Sequence, residues 1–475
     1  MSSRSMPEED PIMATVIETV VQNSLCIGCG LCAALCPQDV LTMQWNRYGE
    51  YNPVAVSPCI TECGLCLKVC PFADSGENED TIGERLYGAV PGIQHRSETG
   101  YYLTSYVGYS EKHRPTSASG GMATWLLEAL LAEGVVDHVI CVAPTGDPER
   151  LFTFRVFDTP ENVRTGAGSA YYPVEMSEVI RQVLEVPGRY AVTGLPCFIK
   201  AIRLAQLRNK KLRERVVITV GLVCGQLKSK HFTDYIAALA GVQGDVTGVR
   251  YRGKSPDMPA SNYHYAFTTE DGGEECRIFR NQGIDEAWGN RWFTPEACNY
   301  CDDVFAECAD VTCMDAWLPE VSSDPRGTSL LIIRSNGILD LIKENCTFSK
   351  TSVNPIDISR VIRSQRGVIA SKRDHLAYRL YLDELLRINS PQKRVRSSNN
   401  LNILEKWKFK ATCTMQKHSR QFTPQNGYYR MTDVSDLRGE MRWYLMQLSL
   451  IRLLNFPFRA ARHGMASLAQ KLGRR

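Results

Sequence analysis

Two runs of four cysteines near the start of the chain constrain its fold more than any other feature of the sequence. Each run has three closely spaced cysteines and a fourth directly before a proline, Pro37 in the first run and Pro71 in the second. This spacing is typical of thiolates that bind cubane iron–sulfur clusters, in which the fourth cysteine of each run ligates the other cluster. The predicted ligands are Cys26, Cys29, Cys32 and Cys70 for the first cluster, and Cys59, Cys63, Cys66 and Cys36 for the second.

The second run departs from the usual spacing, because three residues rather than two separate Cys59 from Cys63. The longer loop still supplies all four thiolates. Zinc sites and disulfides are the alternatives. Zinc does not require two cross-ligated runs, and no other feature of the sequence indicates secretion, where disulfides persist. We therefore expect residues 21–75 to form a small bacterial ferredoxin-like domain with two 4Fe–4S clusters.

The composition is ordinary for a globular chain, since 44% of its 475 residues are hydrophobic and 23% are charged. Eighteen cysteines without an apolar stretch of signal-peptide length favour the reducing cytoplasm. No run of eighteen apolar residues occurs, so no membrane-spanning helix is expected. The expected segments are a lead over 1–20, the ferredoxin-like domain over 21–75, a polar linker over 76–98, a large α/β domain over 99–390 and a basic extension over 391–475.

Charge is distributed unevenly along the chain. Residues 391–475 hold 17 Lys and Arg against 4 Asp and Glu, although the whole chain carries a net charge of only +3. We expect this extension to be helical, and three interpretations stay open: it packs on its own domain, lies on an anionic membrane surface, or docks on an acidic partner protein. Nucleic-acid binding is not indicated, because no recognised fold motif accompanies the charge.

Strands and helices alternate from about residue 100 to 390. A helical pattern covers 122–133, and strand-like segments cover 190–193, 216–221 and 329–334. The strands at 190–193 and 216–221 each lead into a loop with a cysteine, which is followed by a helix. This order predicts an α/β (α+β) domain with its site at the strand ends.

Several short stretches in this region together resemble one known family, the beta subunit of coenzyme F420-reducing hydrogenase and its relatives. The likeness covers roughly residues 100–345 and implies an oxidoreductase that binds a flavin and a 4Fe–4S cluster. No single stretch is specific to this family, but the whole set in this order along the chain is specific to it. The matching stretches are Ser119–Thr124, Gly194–Cys197, Gly221–Gly225, Arg250–Lys254, Cys298–Asp302 and Gly327–Arg334.

The resemblance implies a third cluster, for which two ligand sets are possible. The family pattern implies Cys197, Cys224, Cys298 and Cys301, gathered from three loops. A purely local set would use Cys298, Cys301, Cys308 and Cys313 instead. We favour the first set, because Cys197 and Cys224 both follow predicted strands, where ligands converge. The working interpretation of the remaining cysteines is buried apolar residues without a ligand role; they are Cys141, Cys276, Cys346 and Cys413.

A flavin is also expected on chemical grounds, because clusters transfer single electrons whereas most organic substrates exchange two. Ser119, Gly120 and Gly121 precede a predicted helix and form a candidate seat for the FAD pyrophosphate. Arg250, Arg252 and Lys254 are candidates for binding anionic groups of flavin or substrate. The alternative for these three is a solvated charged strand.

The sequence thus predicts a cytoplasmic iron–sulfur flavoprotein oxidoreductase that uses FAD and, by resemblance, coenzyme F420 as its substrate. The basic extension allows peripheral contact with the inner face of a membrane. A redox partner protein or ferredoxin is the expected electron partner. The alternatives are a ferredoxin-fed reductase of another organic substrate, for example in cell-surface polysaccharide biosynthesis, and a non-catalytic electron-transfer subunit of a larger complex.

Overall fold

The structure is a computed structural model that describes residues 15–60, 63–270, 276–346, 351–422 and 429–472, with side chains as far as residue 454. The strands in these residues are β1 (Leu41–Trp45), β2 (Tyr51–Ala55), β3 (Gln94–Arg96), β4 (Gly100–Tyr102), β5 (Thr104–Ser110), β6 (His138–Pro144), β7 (Phe152–Phe157), β8 (Tyr190–Gly194), β9 (Val216–Leu222), β10 (Val246–Gly253), β11 (His264–Thr269), β12 (Cys276–Phe279), β13 (Val311–Asp315), β14 (Ser329–Ile333) and β15 (Thr351–Pro355).

Helices fill most of the remaining described residues. They are α1 (Leu31–Ala34), α2 (Leu65–Lys68), α3 (Glu79–Tyr87), α4 (Met122–Ala132), α5 (Pro160–Val163), α6 (Ser177–Glu185), α7 (Pro196–Arg208), α8 (Lys210–Arg215), α9 (Lys230–Leu239), α10 (Asp285–Gly289), α11 (Pro319–Ser322), α12 (Asn336–Asn345), α13 (Ile358–Ser364), α14 (Arg366–Ala370), α15 (Leu376–Leu386), α16 (Ile403–Gln421) and α17 (Met431–Leu472). Short π-helical turns cover Ile17–Val21, Arg280–Ile284 and Ser371–His375, and 3₁₀ turns cover Arg164–Gly166 and Glu296–Tyr300.

The ferredoxin-like unit repeats one small design twice. Gly30 and Gly64, both with positive φ, begin the four-residue helices α1 and α2, and only glycine adopts this backbone conformation readily. Each helix carries the third cysteine of its run, Cys32 or Cys66. The unit shares a continuous hydrophobic core with α6 and α7, so it is packed onto the large domain rather than tethered to it.

An eight-stranded sheet forms the centre of the large domain, in the order β15-β5-β14-β13-β9-β8-β6-β7. The central strands β13, β9, β8 and β6 are parallel, and the outer pairings are antiparallel. The predicted α/β class with a preceding 4Fe–4S unit and C-terminal helices is confirmed. A separate three-stranded antiparallel sheet, β10-β11-β12, lies beyond α9 in the chain.

The segment 76–98, predicted as a polar linker, contains a capped helix. The Asn78 side chain accepts hydrogen bonds from the Asp80 and Thr81 amides, which fixes the start of α3. Glu79 and Tyr87 of this helix are buried against the large domain. The polar residues that suggested a linker are therefore the cap and the outer face of a packed helix.

Most described residues of the basic extension are helical, and α16 and the first part of α17 pack on the body of the protein. Arg420 of α16 makes two hydrogen bonds of 2.8 Å to the Glu50 carboxylate in the β1–β2 turn. The side chain of Arg394, which precedes α16, is 6% exposed and pairs with Glu307 and Asp80. No helix among the described residues combines the length and the apolar character required to cross a membrane.

Candidate iron–sulfur and cofactor site

The first predicted cluster set comes together in the ferredoxin-like unit. Burial raises the pKa of Cys29, and the nearby thiolates of Cys70 and Cys26 raise it further. Burial likewise raises the pKa of Cys32, and the thiolates of Cys29, Cys26 and Cys70, together with Cys66 of the second set, raise it further. Four thiols grouped in this way, two of them buried, are costly as separate thiolates and fit a cluster that shares their charge.

The second set lies closer to the surface. Burial raises the pKa of Cys66, and Cys63 and Cys59 raise it further, which places these three thiols together. Cys59 is exposed, and Cys36 is half-buried against the core of the unit. A cluster in this position is the more accessible of the two to an external electron carrier.

The four cysteines that the family pattern implies for a third cluster also meet in space. Cys197 lies in the first turn of α7 after β8, Cys224 follows β9, and Cys298 and Cys301 flank the end of a 3₁₀ turn. Burial raises the pKa of Cys197 most, and the nearby thiolates of Cys301, Cys224 and Cys298 raise it further. The parallel neighbours β8 and β9 bring the first two together, as their topology predicts.

The purely local alternative receives no such support. Burial raises the pKa of Cys308, and the charged groups that act on this thiol are carboxylates and Lys200 rather than the other cysteines. Burial alone raises the pKa of Cys313 to about 12. Among the described residues, no group of three His, Cys, Asp or Glu side chains lies close enough to bind a single metal ion. A cubane cluster does not require such a group, because each of its four thiolates binds a different iron.

Lys372 is a buried cation beside this third set, and no sequence pattern indicated it. Its Nζ donates hydrogen bonds to Cys301 Sγ at 2.8 Å and to the Asp303 carbonyl at 2.9 Å. Burial acts to lower the pKa of Lys372, but the thiolates of Cys301 and Cys224 outweigh it and hold the pKa above its ordinary value. The lysine lies in a π-helical turn with no motif around it.

A cavity of about 960 Å³ lies between the first and third cluster sets. Cys26 of the first set and Cys224 of the third both line it. Its volume lies at the upper end of the range of small-molecule and cofactor sites. Tyr171 and Trp288 form part of an aromatic wall, with their ring centres 4.5 Å apart.

The predicted phosphate seat opens onto this cavity. Gly121, with a φ of 79°, is the N-cap of α4, and it lines the cavity together with Ser119. The Ser119 hydroxyl donates a hydrogen bond of 2.7 Å to the Thr328 carbonyl. Gly120 faces the opposite way, since a Cβ there would lie 2.7 Å from the Gly108 carbonyl oxygen. The loop therefore presents its backbone and the start of α4 to a ligand, rather than a hydroxyl.

The three predicted cations of β10 and its end have different surroundings. Arg250 is exposed and lines the cavity. Arg252 also lines it but is buried, and it donates a hydrogen bond of 2.6 Å to Asp315 Oδ2. Lys254 Nζ donates a hydrogen bond of 2.7 Å to the Ser119 carbonyl, so this lysine holds the loop. Burial, together with Arg252 and Arg114, lowers the pKa of Lys254 to about 8.

A Ser–His–Glu arrangement stands behind the same loop. The Ser110 hydroxyl lies 2.8 Å from His113 Nδ1, and His113 Nε2 lies 2.9 Å from Glu128 Oε1. All three residues are buried, and none of them lines the cavity. The Ser110 amide donates to the Gly120 carbonyl at 2.8 Å, so this network supports the loop rather than presenting a nucleophile.

Comparison with known families decides where the chain belongs. The models for the N-terminal and C-terminal parts of the coenzyme F420 hydrogenase/dehydrogenase beta subunit match residues 105–181 and 188–358, which together are about half of the chain. The chain belongs to this family. A model described as a 4Fe–4S dicluster domain matches residues 25–73, so this beta subunit-like chain carries a two-cluster unit before its family region.

Curated relatives agree with this assignment. A subunit of the F420H2 dehydrogenase of Methanosarcina mazei is 25% identical over 222 residues, which are 45% of this chain and 56% of that protein. Coenzyme F420-dependent sulfite reductase of Methanocaldococcus jannaschii is 27% identical over 192 residues, 40% of this chain and 26% of that protein. The chain thus spans less than two thirds of these relatives, both of which are named as oxidoreductases.

A solved structure resembles part of the chain. A chain of the F420-reducing [NiFe] hydrogenase complex from Methanosarcina barkeri superposes with a TM-score of 0.48 at 20% sequence identity. The superposition covers 64% of this chain and 99% of that one.

Proposed function

We propose that this chain is an iron–sulfur flavoprotein oxidoreductase that passes electrons between 4Fe–4S clusters and a two-electron substrate through FAD. The cavity is the observation that carries the proposal, because Cys26 of the first predicted cluster set and Cys224 of the third line the same space. Bound there, FAD supplies the exchange of two electrons with a substrate and of single electrons with a cluster.

The chain's own residues fit a dinucleotide of this kind. The N-terminus of α4 directs backbone N–H groups toward the cavity, where they favour a pyrophosphate. Arg250 adds positive charge from β10, whereas the charge of Arg252 is paired with Asp315. Tyr171 and Trp288 offer apolar faces for a flat ring system.

Electron entry is proposed at the second cluster set. Cys59 is exposed, and its neighbour Ile60 is 85% exposed, so a ferredoxin or another redox partner protein has access to this end of the unit. From there the first set leads inward, since Cys26 reaches the cavity. The third set then lies at a different wall of the cavity, beside Cys224.

Coenzyme F420 is the substrate we propose to test first. Both curated relatives described above are named for its use, and the family is named for it as well. A second candidate function is that of an electron-transfer subunit within a larger complex, because one of those relatives is named as a subunit of a dehydrogenase. A ferredoxin-fed reductase of another organic substrate would use the same cavity.

The test is anaerobic purification followed by quantitation of iron, sulfide and flavin, and then reduction by F420H2, NADH, NADPH and dithionite in turn. We expect about twelve iron atoms per chain for three clusters, one FAD, and bleaching of the flavin band by F420H2. Reduction by dithionite alone would favour a ferredoxin-fed reductase. Clusters without flavin would favour the electron-transfer subunit, and a colourless protein would refute the proposal.

A further inference from the structure

Helix α17 is apolar on two opposite faces within its described side chains. The inner face packs in a hydrophobic core together with α9; its buried residues are Val434, Leu437, Met441, Leu448 and Ile451. The outer face is a stripe of exposed residues spaced by three, four, three and one positions, which places them on one side of a helix. This outer stripe consists of Trp443, Met446, Leu450, Leu453 and Leu454.

The exposure of the outer stripe is unusual for a water-facing helix. Trp443 is 62% exposed and Leu453 is 72% exposed, although the other side of the same helix is fully packed. Scattered apolar residues are common on protein surfaces, whereas a contiguous row of five indicates an interaction site. The inner face fixes the helix to the protein, so the stripe is held outward rather than available for core packing.

Charge around the stripe selects the kind of partner. Between Met441 and Arg475 the sequence has seven Lys and Arg and no Asp or Glu. Arg442 is exposed on the helix beside the stripe. Two copies that paired through this stripe would bring two segments together that are basic from Met441 onward, which opposes self-association. A row of Trp and Leu on a helix with basic neighbours is typical of helices that lie in a lipid–water interface.

We propose that the outer stripe of α17 docks the protein on an anionic lipid surface. In this arrangement α17 lies in the plane of the interface, with the stripe inserted among the acyl chains and the basic residues near the headgroups. The inner face remains in the protein core. The proposal is independent of the cofactors and substrate of the cavity, because it depends only on α17.

The test is co-sedimentation of the full chain with vesicles of phosphatidylcholine alone or with about one third phosphatidylglycerol. We expect sedimentation with the anionic vesicles that weakens as salt is added. The double variant Trp443→Ala/Leu450→Ala should lose about tenfold in apparent affinity for these vesicles. The matched control is Ile403→Ala/Trp407→Ala, which removes two exposed apolar residues from α16.

Several outcomes would overturn the proposal. The wild type staying in solution with anionic vesicles, or binding equally to neutral ones, would remove the lipid surface as the partner. Equal losses in the two double variants would show general apolar adhesion instead of a defined face. A dimer seen by light scattering and abolished by Trp443→Ala/Leu450→Ala would assign the stripe to a second copy. Unchanged circular dichroism and iron content in both variants exclude misfolding as the cause of any loss.

Discussion

Replacing Lys372 by methionine should make the third cluster harder to reduce. Lys372 Nζ donates a 2.8 Å hydrogen bond to Cys301 Sγ and is 4% exposed, so its positive charge acts on the cluster site with little solvent screening. Hydrogen bonds to cluster sulfurs and local positive charge stabilise the reduced state, which carries one more electron. Methionine keeps a similar length and apolar stem but removes both the charge and the donor.

The size of the shift follows from Coulomb's law. If a cluster held by Cys301 places the added electron about 6 Å from the ammonium, the interaction at an effective dielectric constant of about 20 would be worth about 3 kcal/mol. For a one-electron couple this corresponds to about 120 mV, since a tenfold change in the equilibrium is 59 mV. Relaxation and entry of water reduce the effect, so we expect a negative shift of about 60–120 mV.

The assay is a potentiometric titration of the anaerobic protein followed by electron paramagnetic resonance. One of the three reduction steps should move to lower potential in Lys372→Met and return most of the way in Lys372→Arg, which keeps a positive charge. Lys410→Met, at an exposed position of α16, is the control for general effects of charge removal. A shift below about 20 mV, or a positive one, would contradict the electrostatic reasoning.

Other positions give three further predictions. Cys197→Ala should lower the iron content by about four atoms per chain, whereas Cys308→Ala should leave it unchanged; the opposite result in iron and sulfide assays would select the local ligand set. Gly121→Ala should lower the bound flavin, because a Cβ there would lie 2.7 Å from His113 Cβ on a backbone with a φ of 79°; full flavin occupancy in released-flavin fluorescence would contradict this placement. Burial, Lys408 and Arg291 lower the pKa of His375 to about 4 in the folded protein. As the pH falls below about 6.5, the unfolded chain therefore binds a proton at this histidine before the folded chain does, which destabilises the fold. Between pH 7 and pH 5 the wild type should therefore lose about 1–2 kcal/mol more stability than His375→Gln in anaerobic urea denaturation, and parallel pH profiles would refute it.

Local spacing explains why the ferredoxin-like unit was predictable and much of the cavity was not. The cysteine runs specify their clusters within a few residues, and strand order brings Cys197 to Cys224. Lys372 reaches Cys301 across 71 positions of sequence from a turn without a motif. Tyr171 and Trp288 are also far apart in the sequence, and neither lies in a motif. Only the fold brings the two rings together at the cavity.

The two halves of the basic extension show what charge counting alone misses. Its excess of Lys and Arg faces an opposite excess of about ten negative charges in the rest of the chain. Three arginines of the extension form ion pairs with carboxylates in the rest of the chain. Arg394 pairs with Glu307, Arg420 with Glu50, and Arg438 with Glu286. From Arg442 onward the sequence has no acidic residue to offset the charge, and there the exposed stripe begins. Before this point the arginines therefore pair with carboxylates of the protein body, whereas Arg442 and Arg452, which follow it, are exposed.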